Sequence, residues 1–199
     1  MNGSLREALK NRRTCYSIES RSPVSDAKIE EIIDFALEYM PSAFNSQSTR
    51  LVLLLGEHHK KLWNIVMETL REMVPPDKFP ETEKKVGSFM AGYGTILFYE
   101  DQKVVKSLQS SFPTYAERFP AYAQHTSAMH QLAVWTILED EGLGASLQHY
   151  NPIIDAKVRE TWSIDPDWLL VAQMPFGAMA ECPGPKETQP LEARKKVFK

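Results

Sequence analysis

The sequence has little of what marks a disulfide framework, a membrane span or a nucleic-acid binder. Its two cysteines, Cys15 and Cys182, are too few for a disulfide framework and suit a reducing compartment. No segment approaches the roughly 18 uninterrupted apolar residues of a membrane span, and the charged first residues lack an apolar stretch typical of a signal peptide. A net charge of −3 gives no reason to expect nucleic acid or an anionic membrane as a partner. We therefore expect a cytoplasmic protein.

The composition is that of an ordinary globular protein, with 43% hydrophobic and 25% charged residues. A chain of 199 residues can build one domain with a sizeable core, so we expect a single domain over residues 1–199. Residues 178–199 are too polar for that core and are expected to lie along the surface, or on a partner chain. The five histidines do not cluster, and the pair His58–His59 is expected in a solvated first turn, so no metal site is predicted.

The stretch PSAFNSQSTRLVLLLG, residues 41–56, joins a polar loop to an aliphatic run. The run Leu51–Leu55, closed by Gly56, favours a strand buried on both faces, although a buried helix segment shows the same pattern. The loop before it offers amide donors and acceptors from Asn45 and Gln47, beside the hydroxyl of Ser42, to a planar polar ligand. A polar turn that caps a core strand is the alternative interpretation.

Periodicity outlines most of the other elements. Residues 121–141 are apolar around most of the helix circumference, so this helix is expected to be central or shared between subunits. Ser4 and Ser25 are expected N-caps, and Met40–Pro41 is expected to end the second helix. Helices are predicted over residues 4–12, 25–40, 57–73, 81–91, 102–109, 121–141 and 155–161, and strands over 51–55, 93–99 and 168–174.

Several other segments could bind a ligand. Arg12, Arg13 and Thr14 could hold a phosphate, because guanidinium groups match phosphate oxygens and the hydroxyl adds a donor; a basic helix end is the alternative. The small residues of 142–151 indicate close approach of the backbone to a ligand or another element. Residues 112–122, with four aromatics and two prolines, suit a lid or an interface, or an ordinary packed loop.

These segments, taken in order, resemble the nitroreductase family of FMN-dependent oxidoreductases, and within it the short fatty-acid-repression-mutant-like branch. The resemblance covers about residues 12–198 and is carried by an ordered set of short motifs. They are PSAFNSQS (41–48), AGYGTILF (91–98), the FP-containing segment (112–120), VWT (134–136), GLGASLQHYNP (142–152) and AQMPFG (172–177).

The resemblance implies an α+β fold with a mainly antiparallel central sheet sandwiched by helices, and an intertwined homodimer whose C-terminal tail wraps onto the partner. One FMN per subunit would lie at the interface, and every site residue below is carried over from the family. The phosphate and ribityl end would contact Arg12, Arg13, Thr14 and Tyr16, with Arg194 and Lys196 from the tail. The flavin would contact Ser42, Asn45 and Gln47 across the interface, and a backbone wall of Leu143, Gly144, Ala145 and Ser146. Residues 84–90 lack the Asn and Lys that larger members present to the pyrimidine edge.

The activity implied is an FMN-dependent NAD(P)H oxidoreductase that reduces nitroaromatic or quinone-type acceptors by ping-pong hydride transfer through flavin N5. NADH or NADPH would be the co-substrate, and no catalytic side chain or metal is required, because the cofactor carries the redox chemistry. A flavin-binding regulatory or stress-response dimer with incidental reductase activity is the alternative. A metal-dependent or hydrolytic enzyme is a third interpretation, which the scattered histidines do not favour.

Overall fold

The computed structural model describes residues 4–181 and 183–199, so the expectation for Cys182 falls outside the described residues. Within them, the chain forms seven α-helices and five strands. The helices are α1 (Leu5–Asn11), α2 (Asp26–Tyr39), α3 (Gly56–Met73), α4 (Phe79–Met90), α5 (Gln102–Ser111), α6 (Phe119–Asp140) and α7 (Asp155–Trp162). The strands are β1 (Ile18–Glu19), β2 (Thr49–Leu55), β3 (Gly94–Asp101), β4 (Leu143–Ala145) and β5 (Trp168–Met179).

The five strands form one antiparallel sheet in the order β1-β5-β3-β2, with β4 also paired to β5, on the edge opposite β1. Strand β3 lies between β5 and β2, and all eight of its residues are buried. Its side chains alternate between the two faces, since Ile96 and Phe98 belong to one hydrophobic cluster and Leu97 and Tyr99 to another.

Helices cover both faces of the sheet. Helices α2 and α6 pack on the face that Ile96 and Phe98 supply, whereas α3, α4 and α7 pack on the face of Leu97 and Tyr99. This is the predicted α+β architecture of a mainly antiparallel sheet sandwiched by helices, and the structure confirms it. No helix within the described ranges is both long and apolar enough to cross a membrane.

Local sequence signals place several helix ends as predicted. Ser4 caps α1 and exchanges hydrogen bonds with Glu7, while the Ser25 side chain accepts from the Lys28 amide at the start of α2. Helix α2 ends at its C-cap Met40, before Pro41.

Residues 51–55 form the predicted strand, and both of its faces pack on a hydrophobic cluster, but the burial is less complete than expected. Strand β2 is the edge strand, and Leu51, Val52 and Leu53 are only partly buried. An aliphatic run indicates that both faces of a strand are apolar. It does not indicate whether another strand pairs with each of its edges. Two other strands are longer than predicted, because β3 continues through Glu100 and Asp101 and β5 continues through Pro175 to Met179.

His59 was also expected to be solvated, and the structure corrects this. It is 1% exposed and its Nδ1 lies 2.8 Å from the Thr95 hydroxyl, while its Nε2 lies 3.1 Å from the Met90 carbonyl oxygen. Because that carbonyl can only accept, Nε2 carries the proton and Nδ1 accepts from Thr95, which itself accepts from the Trp63 indole at 2.9 Å. The imidazole is therefore neutral and fully hydrogen-bonded, and burial lowers the pKa of His59 below its ordinary value near 6.5.

This geometry predicts a pH-dependent contribution of His59 to stability. Below about pH 6.5 the unfolded chain gains a proton on His59 before the folded chain does, so the free energy of unfolding should fall as pH is lowered from there. In His59→Gln, urea unfolding should show a flatter slope against pH and, at pH 8, a loss of about 1–3 kcal/mol. His58→Gln, at the exposed neighbour, is the control; equal slopes in His59→Gln and the native protein would contradict the assignment.

Candidate functional site

A main-chain link joins two segments that the sequence marks as ligand-binding. Thr14 and Ala145 form a parallel bridge, in which the Cys15 amide donates to the Ala145 carbonyl at 2.9 Å. The segment after α1 is thereby held along the edge of β4 that β5 leaves open. A Cβ on Gly144 would lie 2.9 Å from Cys15 Sγ and 2.5 Å from Met179 Cγ, so only glycine permits this approach. The Arg12–Tyr16 segment and the 143–146 wall therefore meet within one chain.

Arg12 lies at the C-terminal end of α1, where the helix stops. Its guanidinium carbon lies 4.4 Å from the ring centroid of Trp135 on α6. Its Nε is buried and has no hydrogen-bond partner among the described residues. An arginine with an unsatisfied donor, fixed by an aromatic face, is prepared to accept an anionic ligand.

The rest of this group divides into exposed and buried members. Thr14 and Tyr16 are exposed and Arg13 is partly exposed, so their side chains are available to a ligand. Leu143, Gly144, Ala145 and Ser146 are buried, and the Ser146 hydroxyl accepts from Gln148. All four residues are covered within the single chain, so their expected role as a wall beside the flavin stays a prediction.

The loop before β2 has an unusual backbone. Phe44, Asn45 and Gln47 have φ angles of 58°, 48° and 48°, in the left-handed region that non-glycine residues rarely occupy. Such residues cost of order 1–3 kcal/mol each, and they persist where surrounding structure fixes them. The Ser42 hydroxyl accepts from the main-chain amide of Gln47 at 3.0 Å. The residues Asn45 and Gln47 are both exposed. The loop therefore presents amide groups from a constrained backbone.

The loop and Arg12 lie at different ends of α6. The Phe44 ring packs against Phe119 with centroids 5.2 Å apart, whereas Arg12 lies on Trp135. Residues 119 and 135 are separated by about 24 Å along a helix that rises 1.5 Å per residue. Within one chain, the structure therefore does not bring Ser42, Asn45 and Gln47 to the Arg12 segment. Arg194 and Lys196 lie in the exposed tail, and across the described residues neither side chain forms an ion pair or hydrogen bond.

A buried polar cluster beneath the loop escaped the sequence interpretation. Glu100 is 0% exposed, and it accepts from the hydroxyls of Ser48 at 2.5 Å and Thr49 at 2.6 Å. Burial raises the pKa of Glu100 above its ordinary value, an effect that the two hydroxyls and Arg50 oppose. His130 on α6 lies 3.3 Å from the Thr49 hydroxyl, and burial lowers its pKa. An acid at the end of an apolar strand resembles a strand terminator, so the pattern of residues does not indicate that Glu100 is buried.

A cavity of about 290 Å³ opens beside this cluster and is lined by Gln47, Thr49, Arg50, His130 and Trp168 together with Leu37, Met40 and Leu51. A second, almost wholly apolar groove of about 330 Å³ runs over α1, α2 and α6. No group of three or more histidine, cysteine or acidic side chains suited to a metal occurs in residues 4–181 and 183–199.

Comparisons with known proteins identify the family of the chain. The family model for the nitroreductase family matches residues 9–178. HBN1 of Saccharomyces cerevisiae is 36% identical over 187 residues, covering 90% of each chain, and the nitroreductase FRM2 of the same yeast is 33% identical over 186 residues, covering 92% of each.

Solved structures share the fold. Nitroreductase CinD from Lactococcus lactis, in complex with nicotinic acid, has a TM-score of 0.92 at 40% identity and covers 98% of this chain and 100% of its own. CinD has also been solved with chloramphenicol and with 4-nitrophenol. A Desulfovibrio desulfuricans protein in complex with FMN shares the fold at 16% identity, with a TM-score of 0.72 and full coverage of both chains (100% each).

The contact around Gly144 predicts opposite effects at two glycines. Gly144→Ala should lower the free energy of unfolding by about 1–3 kcal/mol, because the added methyl overlaps Cys15 and Met179. Gly87→Ala should raise it by about 0.5–1 kcal/mol, because Gly87 lies within α4 and nothing lies within 4 Å of its added methyl. Urea denaturation measures both, and equal stability of the two variants would contradict the close approach.

Proposed function

Because the chain belongs to the nitroreductase family, we propose that it is a cytoplasmic, FMN-dependent NAD(P)H oxidoreductase acting on nitroaromatic or quinone-type acceptors. The observation that carries the proposal is the main-chain link between Thr14 and Ala145, since it joins an anion-binding segment to a backbone wall. Family members bind flavin, and FMN combines an anionic phosphate with a flat ring in that way.

The residues present fit FMN in their chemistry. Arg12, with its unsatisfied buried Nε, and Arg13 would bind the phosphate, and the Thr14 hydroxyl would add a donor. Tyr16 would lie near the ribityl chain, and residues 143–146 would line the ring. Asn45, Gln47 and Ser42 would supply hydrogen bonds to the polar edge, and Arg194 and Lys196 would add positive charge from the tail.

When bound, FMN supplies hydride transfer between nicotinamide and acceptor through its N5, in the two half-reactions of a ping-pong cycle. The chain's own residues would bind, orient and shield, and none needs to act as a nucleophile. Both substrates would then use the same exposed face in turn, which predicts loose specificity. The 4-nitrophenol and chloramphenicol complexes of CinD support nitroaromatic acceptors.

The aromatic segment 112–122 is our candidate for the rim of this cleft. Phe112 and Tyr115 are exposed, and their rings lie 4.9 Å and 6.2 Å from that of Phe44, at centroid distances. The rim is thereby attached to the loop that carries Asn45 and Gln47. Flat apolar surface beside amide groups suits aromatic acceptors.

A homodimer would complete the site. The loop and the Arg12 segment lie near opposite ends of α6, so a two-fold axis that pairs α6 with its copy in antiparallel orientation would bring the loop of one subunit to the Arg12 segment of the other. The apolar groove supports this face as the interface, because Leu132 is 47% exposed within it, with Leu5, Leu9, Phe35 and Met129.

The C-terminal tail would wrap onto the partner. Val197 and Phe198 are 63% and 91% exposed, which is unfavourable for apolar side chains without a covering surface. Strand β2 also leaves one edge unpaired in the sheet of a single chain, although edges of this kind are usually covered. An intertwined dimer built from one domain over residues 1–199 would satisfy both features.

Anaerobic titration of the purified protein tests the activity. The protein supplemented with FMN should be yellow, lose its flavin absorbance with NADH or NADPH, and regain it with 4-nitrophenol or a quinone. Steady turnover with these acceptors distinguishes an enzyme from a regulatory flavoprotein. A protein that binds FMN but is bleached by neither nicotinamide would contradict the proposed activity.

Leu132→Lys tests the dimer. A lysine ammonium left unpaired in an apolar interface costs about 3–5 kcal/mol, so association should weaken by roughly a hundredfold or more. Sedimentation equilibrium should show monomers, and FMN affinity should fall with dimerisation. Met73→Lys is the matched control, since Met73 is 60% exposed at the end of α3 on the opposite face of the sheet. A monomeric Leu132→Lys variant with undiminished FMN affinity would contradict a shared site.

A further inference from the structure

Glu100 occupies a position that the fold alone does not favour. Its carboxylate is fully buried at the end of β3, directly opposite Thr49 in the ladder between β2 and β3. Burial raises the pKa of this carboxyl, so the ionised group costs the folded state free energy at neutral pH. A buried acid kept at such a cost is commonly found where function requires it.

Its partners lie at the end of the left-handed loop. Ser48 and Thr49 follow Gln47 directly and place one hydroxyl on each oxygen of Glu100, at 2.5 and 2.6 Å. The next acid, Asp101, also contacts the end of the loop. Its main-chain amide donates to the Ser48 carbonyl at 2.9 Å, and its carboxylate accepts from Arg50 at 3.0 Å. Arg50 also donates to the Gln47 carbonyl at 2.8 Å. The loop is thus fixed at one end by two successive carboxylates.

We propose that Glu100 is a positioning residue for the FMN-binding loop: by holding Ser48 and Thr49, its carboxylate keeps residues 42–47 in the left-handed conformation that presents Asn45 and Gln47 to the cofactor. This inference rests on the proposed function for the identity of the ligand. Three charged or titratable groups face the carboxylate, which are Arg50 from β2, Asp101 from β3 and His130, through Thr49, from α6.

The two contacts need both oxygens of the carboxylate. Ser48 and Thr49 donate to different oxygens of Glu100, and an ionised carboxyl can accept at both. A side-chain amide keeps one acceptor oxygen and presents N–H donors in place of the other, so it can accept from only one of the two hydroxyls in this arrangement.

Glu100→Gln separates this role from a contribution to the fold. Loss of charge-assisted hydrogen bonds should raise the Kd for FMN roughly ten- to hundredfold at neutral pH. The apoprotein should unfold at the same or a higher temperature, because the buried charge is gone. Asp155→Asn is the matched control, since burial also raises the pKa of Asp155 but it lies on α7, which packs on the other face of the sheet.

Hydrogen exchange in the apoprotein supplies a readout that needs no cofactor. The amides of Asn45, Ser46 and Gln47 donate within the loop, and their protection factors should fall about tenfold or more in Glu100→Gln but not in Asp155→Asn. Thr49→Val should behave like Glu100→Gln, and Thr49→Ser, which keeps the hydroxyl, should restore protection.

The outcomes are distinguishable. If the native protein ignores FMN, the proposed function fails, while loop protection still decides whether Glu100 positions residues 42–47. If Glu100→Gln keeps native protection, or loses protection throughout the chain with a lowered unfolding temperature, the positioning role is wrong.

Discussion

Burial of β3 on both faces is the constraint on which the rest of the structure depends. The strand pairs with another strand on each edge and is covered by helices on each face. Its successive side chains therefore pack alternately into two separate hydrophobic clusters. Because the strand stays buried to its end, Glu100 and Asp101 are carried into the interior as well. Two carboxylates at that position need donors, and the chain supplies them from Ser48, Thr49 and Arg50. The order of the sheet therefore determines where the loop before β2 is anchored.

Several unfavourable features of the molecule lie in two regions along α6. Three left-handed residues and a buried acid lie together at its N-terminal end, and Arg12 Nε and Trp135 Nε1, both buried without a partner among the described residues, lie near its other end. On the other face of the sheet, Tyr99 Oη and Asp155 Oδ1 are also buried without such a partner, whereas hydrogen bonds run from Trp63 through Thr95 and His59 to Met90. Strain and unpaired polar groups tend to occur where a protein binds or reacts, because folding alone selects against them.

Sequence patterns predicted where each helix or strand lies along the chain better than they predicted which elements pack beside it. The stripe Ile29, Ile32, Ile33 and Ala36 identified α2 and its buried face, since helical periodicity is a local property, although Leu37 is 38% exposed. The aliphatic run Leu51–Leu55 predicted a strand buried on both faces, yet β2 is only partly buried and β3, which contains Thr95 and Glu100, is more buried. Edge and centre depend on pairing between distant segments, which apolar composition does not encode. The burial of His59 was mispredicted and that of Glu100 was not predicted, because their partners come from other elements.

The candidate site shows the same division between local and long-range information. The proximity of Arg12–Thr14 to β4 followed from family resemblance, not from spacing, because it depends on one bridge between residues 131 positions apart, Thr14 and Ala145. The loop at Ser42–Gln47 lies far from that bridge within a single chain, so a cofactor that touches both must touch two chains. Such a ligand binds the dimer and not the monomer, and mass action then links its affinity to protein concentration. Under the proposed function, cofactor binding and assembly are therefore one equilibrium, and changes at the apolar groove alter flavin affinity without any contact with the flavin.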